Sequence, residues 1–339
     1  MPASLTRRIL SPRLRRLDFL STWQAWALGL GSGALAGTAL AGFAPWLLGV
    51  LVFLGLLAAA AALAWSGEPV AVADEPSKPW PRTSGALVAD SVPALVDLVS
   101  IPGGTFLMGS PKSEEARLAN EGPVHEVRLS PFECMRLPVT RSLYHQITGT
   151  DPAWPRGDAD DRPVNKVSWL DAVVFCNLLS QREGLTPCYQ IAGRNVTWYR
   201  AANGYRLLTE AEWEYACRAD STTRWSFGDD EEVLGDHAWF EANSSSQPRP
   251  AGRKKPNTWG LYDMHGNVFE WCWDWFGSYS EEASTEPRGP QEGLWRVLRG
   301  GSFVFSPRYL RSAYRFRVKP GFRDRDVGFR CARDPRRQP

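Results

Sequence analysis

Six cysteines and four histidines have the greatest capacity for chemistry in this 339-residue sequence, and their spacing argues against most of it. Cys134, Cys176, Cys188, Cys217, Cys272 and Cys331 include no CxxC pair, so zinc-site and thioredoxin-like chemistry have no support. They are also too dispersed for the disulfide framework of a small scaffold. His125, His145, His237 and His265 form no HxH or HxxxH pair, and each reads as a surface or turn histidine. The densest chemistry is cationic. From Arg296 to Pro339 there are thirteen Arg or Lys against three Asp, a local net charge of +10 in a chain whose total is +2. Such a tail can serve nucleic acid or an anionic surface. The first reading is arginines used as structural hydrogen-bond donors in a loop-rich fold, and nucleic acid is not the expected partner.

The elements that must position these residues fall after a long uncharged stretch. Between Asp18 and Glu68 lie 49 positions without a charge. One helix of that length would run about 70 Å, more than twice a bilayer's hydrocarbon thickness of about 30 Å. Two spans over residues 22–66 fit better, turning at Gly42-Phe43-Ala44-Pro45, with Trp23, Trp26, Trp46 and Trp65 at the interfaces. Gly29, Gly31, Gly33, Ala36 and Gly37 would let the two helices approach closely. A cleaved signal peptide is the competing reading, though its apolar core would be far shorter. Five arginines in residues 1–21 predict a cytoplasmic N-terminus, and a hairpin then returns the chain to the cytoplasmic face of the inner membrane. Residues 67–95 are rich in Pro, Ala and Ser and read as an extended tether.

Residues 96–335 have the texture of a loop-rich α+β domain. Short strands are predicted at Ala94–Ile101, Thr105–Met108, His125–Leu129 and Phe132–Met135. Ser168 caps a helix that presents Ala172, Val173, Phe175, Cys176 and Leu179 and ends before Gly184. Thr209 and Glu212 make a capping box at the head of TEAEWEYACRA. Beyond Ala219 the sequence reads almost wholly as turns, tryptophans and glycines, with aromatics supplying the core.

Six segments occur in order: IPGGTFLMGS (101–110), RPVNKVSWLDAVVFCN (162–177), YRLLTEAEWEYACRA (205–219), PNTWGLYDMHGNVFEWCWDW (256–275), WRVLRGGSF (295–303) and GFRCAR (328–333). The series resembles the formylglycine-generating-enzyme, or sulfatase-modifying-factor, family. The resemblance implies a C-type-lectin-like fold. In that family's enzymes two cysteines follow the GGS motif, bind copper and oxidise a substrate cysteine. Aligned on Gly300-Gly301-Ser302, those positions hold Phe305 and Leu310, which cannot ligate a metal. Formylglycine generation is therefore not expected, and no redox metal is. A second enzymatic branch holds iron with histidines, for which this chain has no paired set. The loop DMHGNVFEW (263–271) is similar to the family's calcium site, which would make Asp263, Gly266, Val268 and Glu270 ligands of Ca²⁺. A capped turn with Glu270 bound to backbone amides is the alternative, and His265 stands beside it.

The stretch 303–335 alternates framework-like residues (Leu310 to Ala313, Arg315, Pro320, Arg323, Gly328 to Arg330) with positions of no consistent chemistry. Those positions are Val304, Phe305, Ser306, Tyr309, Phe316, Val318, Phe322, Asp324 and Asp326. The arrangement, centred on 303–327, resembles the variable region of diversity-generating retroelement target proteins, which share the lectin-like fold. There, adenines of Asn-type codons are copied with errors. Every residue at the nine positions is reachable that way, while Lys, Glu, Gln, Met and Trp are unreachable and absent. The resemblance implies a binding protein whose diversified face takes a protein or other macromolecule, with the nine side chains on one solvent-facing patch, and the uncharged stretch at 22–66 would tether it to a membrane. An ordinary inactive relative with a drifted loop is the bland alternative. An iron- or copper-dependent oxidase with relocated ligands, and a binder of anionic polymers, are the other classes.

Overall fold

Strands here are short, and neighbours in the sheets come from distant parts of the sequence. The computed structural model describes residues 95–156 and 161–335; the hairpin at 22–66 and the tether as far as residue 94 lie outside the described residues. Among the described residues no helix is long and apolar enough to cross a membrane. One sheet orders β1 (Leu98–Ile101), β4 (Phe132–Met135), β13 (Cys331–Arg333) and β7 (Arg206–Leu207), so the C-terminal strand sits beside the first ones. A second orders β11 (Phe316–Val318), β10 (Arg296–Arg299), β8 (Phe269–Trp275) and β12 (Val327–Gly328). A third joins β2 (Gly104–Met108), β3 (His125–Leu129) and β9 (Ser284–Thr285), and β5 (Tyr189–Ala192) pairs with β6 (Asn195–Trp198).

Four helices accompany them: α1 (Arg141–Thr148), α2 (Trp169–Arg182), α3 (Glu210–Arg218) and the single turn α4 (Leu234–His237). In α2 the Asp171 N–H donates to Ser168 Oγ at 3.2 Å, and the Ser168 N–H returns the bond to Asp171 at 2.7 Å. That reciprocal cap satisfies two of the amides that a helix start orphans. Thr209 and Glu212 cap α3 in the same way. Every residue of α3 is buried, including Glu210, Glu212, Glu214 and Arg218. Buried carboxylates need partners, and two arginines from the C-terminal third and one just before the helix supply them. Arg299 pairs with Glu214, Arg315 with Glu210, and Arg206 with Glu212.

The four N-terminal strands and the two capped helices stand where the sequence puts them, within a few residues. The segment beyond Ala219 does not. It carries β8 and β10 to β13, where the sequence reads as turns. The reason is burial: five of the seven residues of β8 are buried and the other two half-buried, so no polar face marks the strand. Helix α1 is missed for the opposite cause, since only Arg141 and Tyr144 are buried in it.

Candidate functional site

Strand β10 is followed by Gly300 and Gly301, with φ of 94° and 71°. A Cβ at Gly301 would lie 2.6 Å from the Tyr309 carbonyl oxygen, so a glycine is needed for the loop that follows to fold back on the turn. That loop runs from Ser302 through a 3-10 turn (Pro307–Tyr309) to β11, which lies antiparallel on β10 with Leu298 opposite Phe316 and Arg296 opposite Val318.

Buried guanidinium groups hold the loop. Arg311 meets both oxygens of Glu121 at 2.6 and 2.7 Å and bonds the Ala116 and Arg308 carbonyls. Arg315 clasps Glu210 at 2.5 and 2.7 Å and donates to the Asn120 carbonyl. Arg330 clasps Glu270 at 2.7 Å on both oxygens and bonds the carbonyls of Met135 and Tyr262. Arg299 donates to the carbonyls of Ser312, Ala313 and Tyr314. Backbone carbonyls without sheet partners are thus satisfied by a planar, permanently charged donor. The cationic tail is structural to that extent.

Between these staples the side chains turn outward to differing degrees. Val304, Phe305, Ser306, Tyr309, Phe316 and Val318 are half-buried, and Phe322 and Asp324 are exposed. Phe305 meets Tyr309 edge-on at 5.3 Å and Phe269 at 5.2 Å, while Phe316 lies over Phe269 at 5.5 Å. Three of the nine positions therefore share one aromatic cluster over buried Phe269 and Tyr314. Val318 and Phe322 line a neighbouring cleft. Asp326 departs from the expected patch: it is buried and accepts from Ser302 Oγ at 2.9 Å, which makes it part of the framework. Arg323 departs in the other direction, exposed and paired with Asp171.

Phe305 and Leu310, expected from the sequence at the positions of the family's cysteine pair, are packing residues. Leu310 is wholly buried with Trp225, Leu234 and Ala238. All six cysteines are free and buried. Burial pushes the thiols of Cys134, Cys188 and Cys217 up to about 12, far from the thiolate that copper binding or nucleophilic attack needs. His265 is also internal. Its Nδ1 bonds the Leu310 carbonyl and its Nε2 accepts from the Ser226 N–H, with burial holding its pKa down to about 4.

The residues of the expected calcium site do not fit a calcium cradle. The two Glu270 oxygens already take the Arg330 fork and the Trp213 indole N–H, at 2.8 Å. Asp263 accepts from the Gly252 N–H and the Asn267 amide, and burial raises its carboxyl to about 6. A divalent cation would have to displace a buried guanidinium from its counter-ion. Adding millimolar Ca²⁺, or EDTA, should therefore leave the melting temperature within about 1 °C; by mass action a saturated site would raise it by several degrees.

A loop-rich mixed α/β domain with carboxylates on a buried helix, stapled by arginines from a glycine-turned C-terminal segment, is the class that fold and site define. The sulfatase-modifying factor enzyme 1-like domain matches residues 83–335, and the chain belongs to that family. It is 30% identical over 269 residues to "Chaperone protein LppX" of Paenibacillus barcinonensis, covering 70% of this chain and 89% of that protein. It is 30% identical over 279 residues to the formylglycine-generating enzyme of Streptomyces coelicolor, covering 70% and 88%. Among solved structures, Treponema denticola variable protein 1 superposes with a TM-score of 0.65 at 32% identity, covering 70% of this chain and 95% of that one.

Proposed function

We propose that this chain is a ligand-binding member of the family, that its recognition face is the stapled loop around Phe305, Tyr309 and Phe316, and that it makes no formylglycine. One observation carries the reading: within 303–327 the backbone is fixed by fully buried Arg311 and Arg315 while eight of the nine variable-type side chains are half-buried or exposed. A scaffold built so tolerates change at the outward positions, because substitutions there cost little stability. The likeness to a variable protein supports it. A peptide carrying Cys-x-Pro-x-Arg, incubated with the chain, copper and oxygen, should keep its thiol; aldehyde formation would restore the enzyme reading.

The same proposal places the domain on a membrane through residues 22–66, with the domain on the cytoplasmic side. The uncharged stretch and the five preceding arginines support it. Labelling the native thiols cannot test this, since all six are buried. A cysteine introduced at exposed Lys112 can. In intact cells it should resist an impermeant maleimide and react only after the membrane is opened; ready labelling from outside would place the domain on the other face.

A further inference from the structure

Beside the recognition loop lies an open cleft of about 1080 Å³ whose floor is unusual. Arg296 forms that floor. It is 5% exposed and sandwiched between the rings of Trp169 and Trp275, with its guanidinium carbon 3.7 and 3.6 Å from their centroids. Unlike Arg299, Arg311, Arg315 and Arg330, it has no carboxylate within ion-pair distance among the described residues. One group donates to the Trp273 carbonyl, and the buried Nε has no hydrogen-bond partner. Burial lowers its pKa but leaves it protonated at neutral pH. A buried charge outside any ion pair is costly; here the two indole faces, the Trp273 carbonyl and the more distant Asp274 carboxylate support it.

The rest of the cleft has the same sign. Arg194, Arg317, Lys319 and Arg323 line it, and no carboxylate does. Among the described residues only Arg323 of these is engaged by an acid, Asp171 on its flank. The head of the fourteen-residue helix α2 borders it at Ser168 to Leu170, with the Ser168, Trp169 and Asp171 amides already bonded to Asp171, the Pro320 carbonyl and Ser168. The walls are apolar and wet: Leu294 is 72% exposed, Trp295 37% and Phe322 38%, three of the eight large hydrophobic side chains the described domain exposes. An anion alone would not use those side chains, and an apolar ligand alone would not use Arg296.

We infer that this cleft is a second binding site, which takes an acidic segment of a protein partner by seating one carboxylate on Arg296 and laying flanking apolar side chains against Leu294, Trp295 and Phe322. With Nε buried and one terminal amino group on the Trp273 carbonyl, the second terminal amino group is the donor left for a carboxylate, and exposed aromatic and aliphatic walls match peptide side chains better than a phosphate backbone. Val318 and Phe322 touch this cleft and belong to the recognition loop too, but Arg296, Leu294 and Trp295 lie outside the nine variable-type positions. The site therefore does not depend on the loop being diversified.

The test uses the full chain in detergent and a fluorescein-labelled peptide of alternating Glu with Leu or Phe, read by anisotropy. The expected result is saturable binding, weakened at least tenfold by Arg296→Met, which keeps the stacked side chain and removes the charge. Should that variant not fold, Leu294→Asp serves, because it places a negative charge at an exposed rim position and should weaken binding as much. Tyr309→Ala with Phe316→Ala should leave peptide binding unchanged, so failure here and failure of the loop reading are separate results. No binding at millimolar peptide, equal binding by both charge variants, equal binding of a Lys-for-Glu peptide, or tighter binding of a poly-dT oligonucleotide or phosphatidylserine vesicles would overturn the proposal.

Discussion

Replacing Arg311 by alanine should cost the fold about 3–5 kcal/mol, a large part of the stability a domain this size has. The guanidinium is 1% exposed and neutralises both the buried Glu121 and the half-buried Glu114. Its removal leaves Glu121 with the Ser110 hydroxyl and the Leu118 N–H for support, neither of which carries charge. It also orphans the Ala116 carbonyl and so removes one tie between the 110–121 loop and the recognition loop, leaving the Arg315 bond to the Asn120 carbonyl. The melting temperature should fall by roughly 10 °C or more, at about 2–4 °C per kcal/mol. Adding Glu114→Gln and Glu121→Gln to the Arg311→Ala chain should recover part of the loss, because the orphaned charges vanish with it. Urea unfolding of the series decides the matter. A loss below about 1 kcal/mol for Arg311→Ala would mean that the staple does not hold the loop, and the recognition surface would lose its rigid frame.

The sequence makes the local signals legible and hides the long-range ones. Both capping boxes announce their helices because cap and partner lie three residues apart. Strand β3 shows strict in-out alternation and is readable for that reason. The buried carboxylates of Glu210 and Glu214 are not readable, since nothing in TEAEWEYACRA says that arginines 105 and 85 residues distant will neutralise them. The arginines could be assigned to loop carbonyls, and Arg311, Arg315 and Arg330 do bond them, but each is also half of a buried ion pair. Asp326 resembles its variable-type neighbours in sequence and differs from them only through Ser302, 24 residues upstream. Arg296 escaped notice because its cleft is assembled from the head of α2, the 294–296 run and β11, which only the sheet order brings together. The one local hint was an apolar Leu294-Trp295 pair placed before it in a turn-rich region.

Single substitutions across 302–330, scored by protease resistance of the displayed domain, should separate into two populations with little overlap. At Phe322 and Asp324, which are exposed, and at Ser306, most replacements should cost under about 1 kcal/mol. At Phe303, Leu310, Arg311, Arg315 and Phe329, all 2% exposed or less, truncation should cost about 3–5 kcal/mol. The structure moves two aromatic positions away from the free-surface behaviour that the sequence alone suggests. Tyr309 and Phe316 are half-buried against Tyr314 and Phe269, so each alanine removes real packing. At about half the burial of a core ring, each should cost about 1–1.5 kcal/mol. The double variant should then melt several degrees lower yet remain cooperatively folded at 25 °C. Asp326→Ala should sort with the framework, since it strips the partner from the buried Ser302 hydroxyl at a cost of about 1–3 kcal/mol. If Tyr309 and Phe316 prove as intolerant as Phe303, the loop is core rather than a recognition face. If Asp326 accepts most replacements, its burial is incidental and the outward set regains its ninth member. The intermediate cost at the two rings has a functional meaning: aromatic side chains pre-packed on one side lose little conformational freedom when a ligand covers the other.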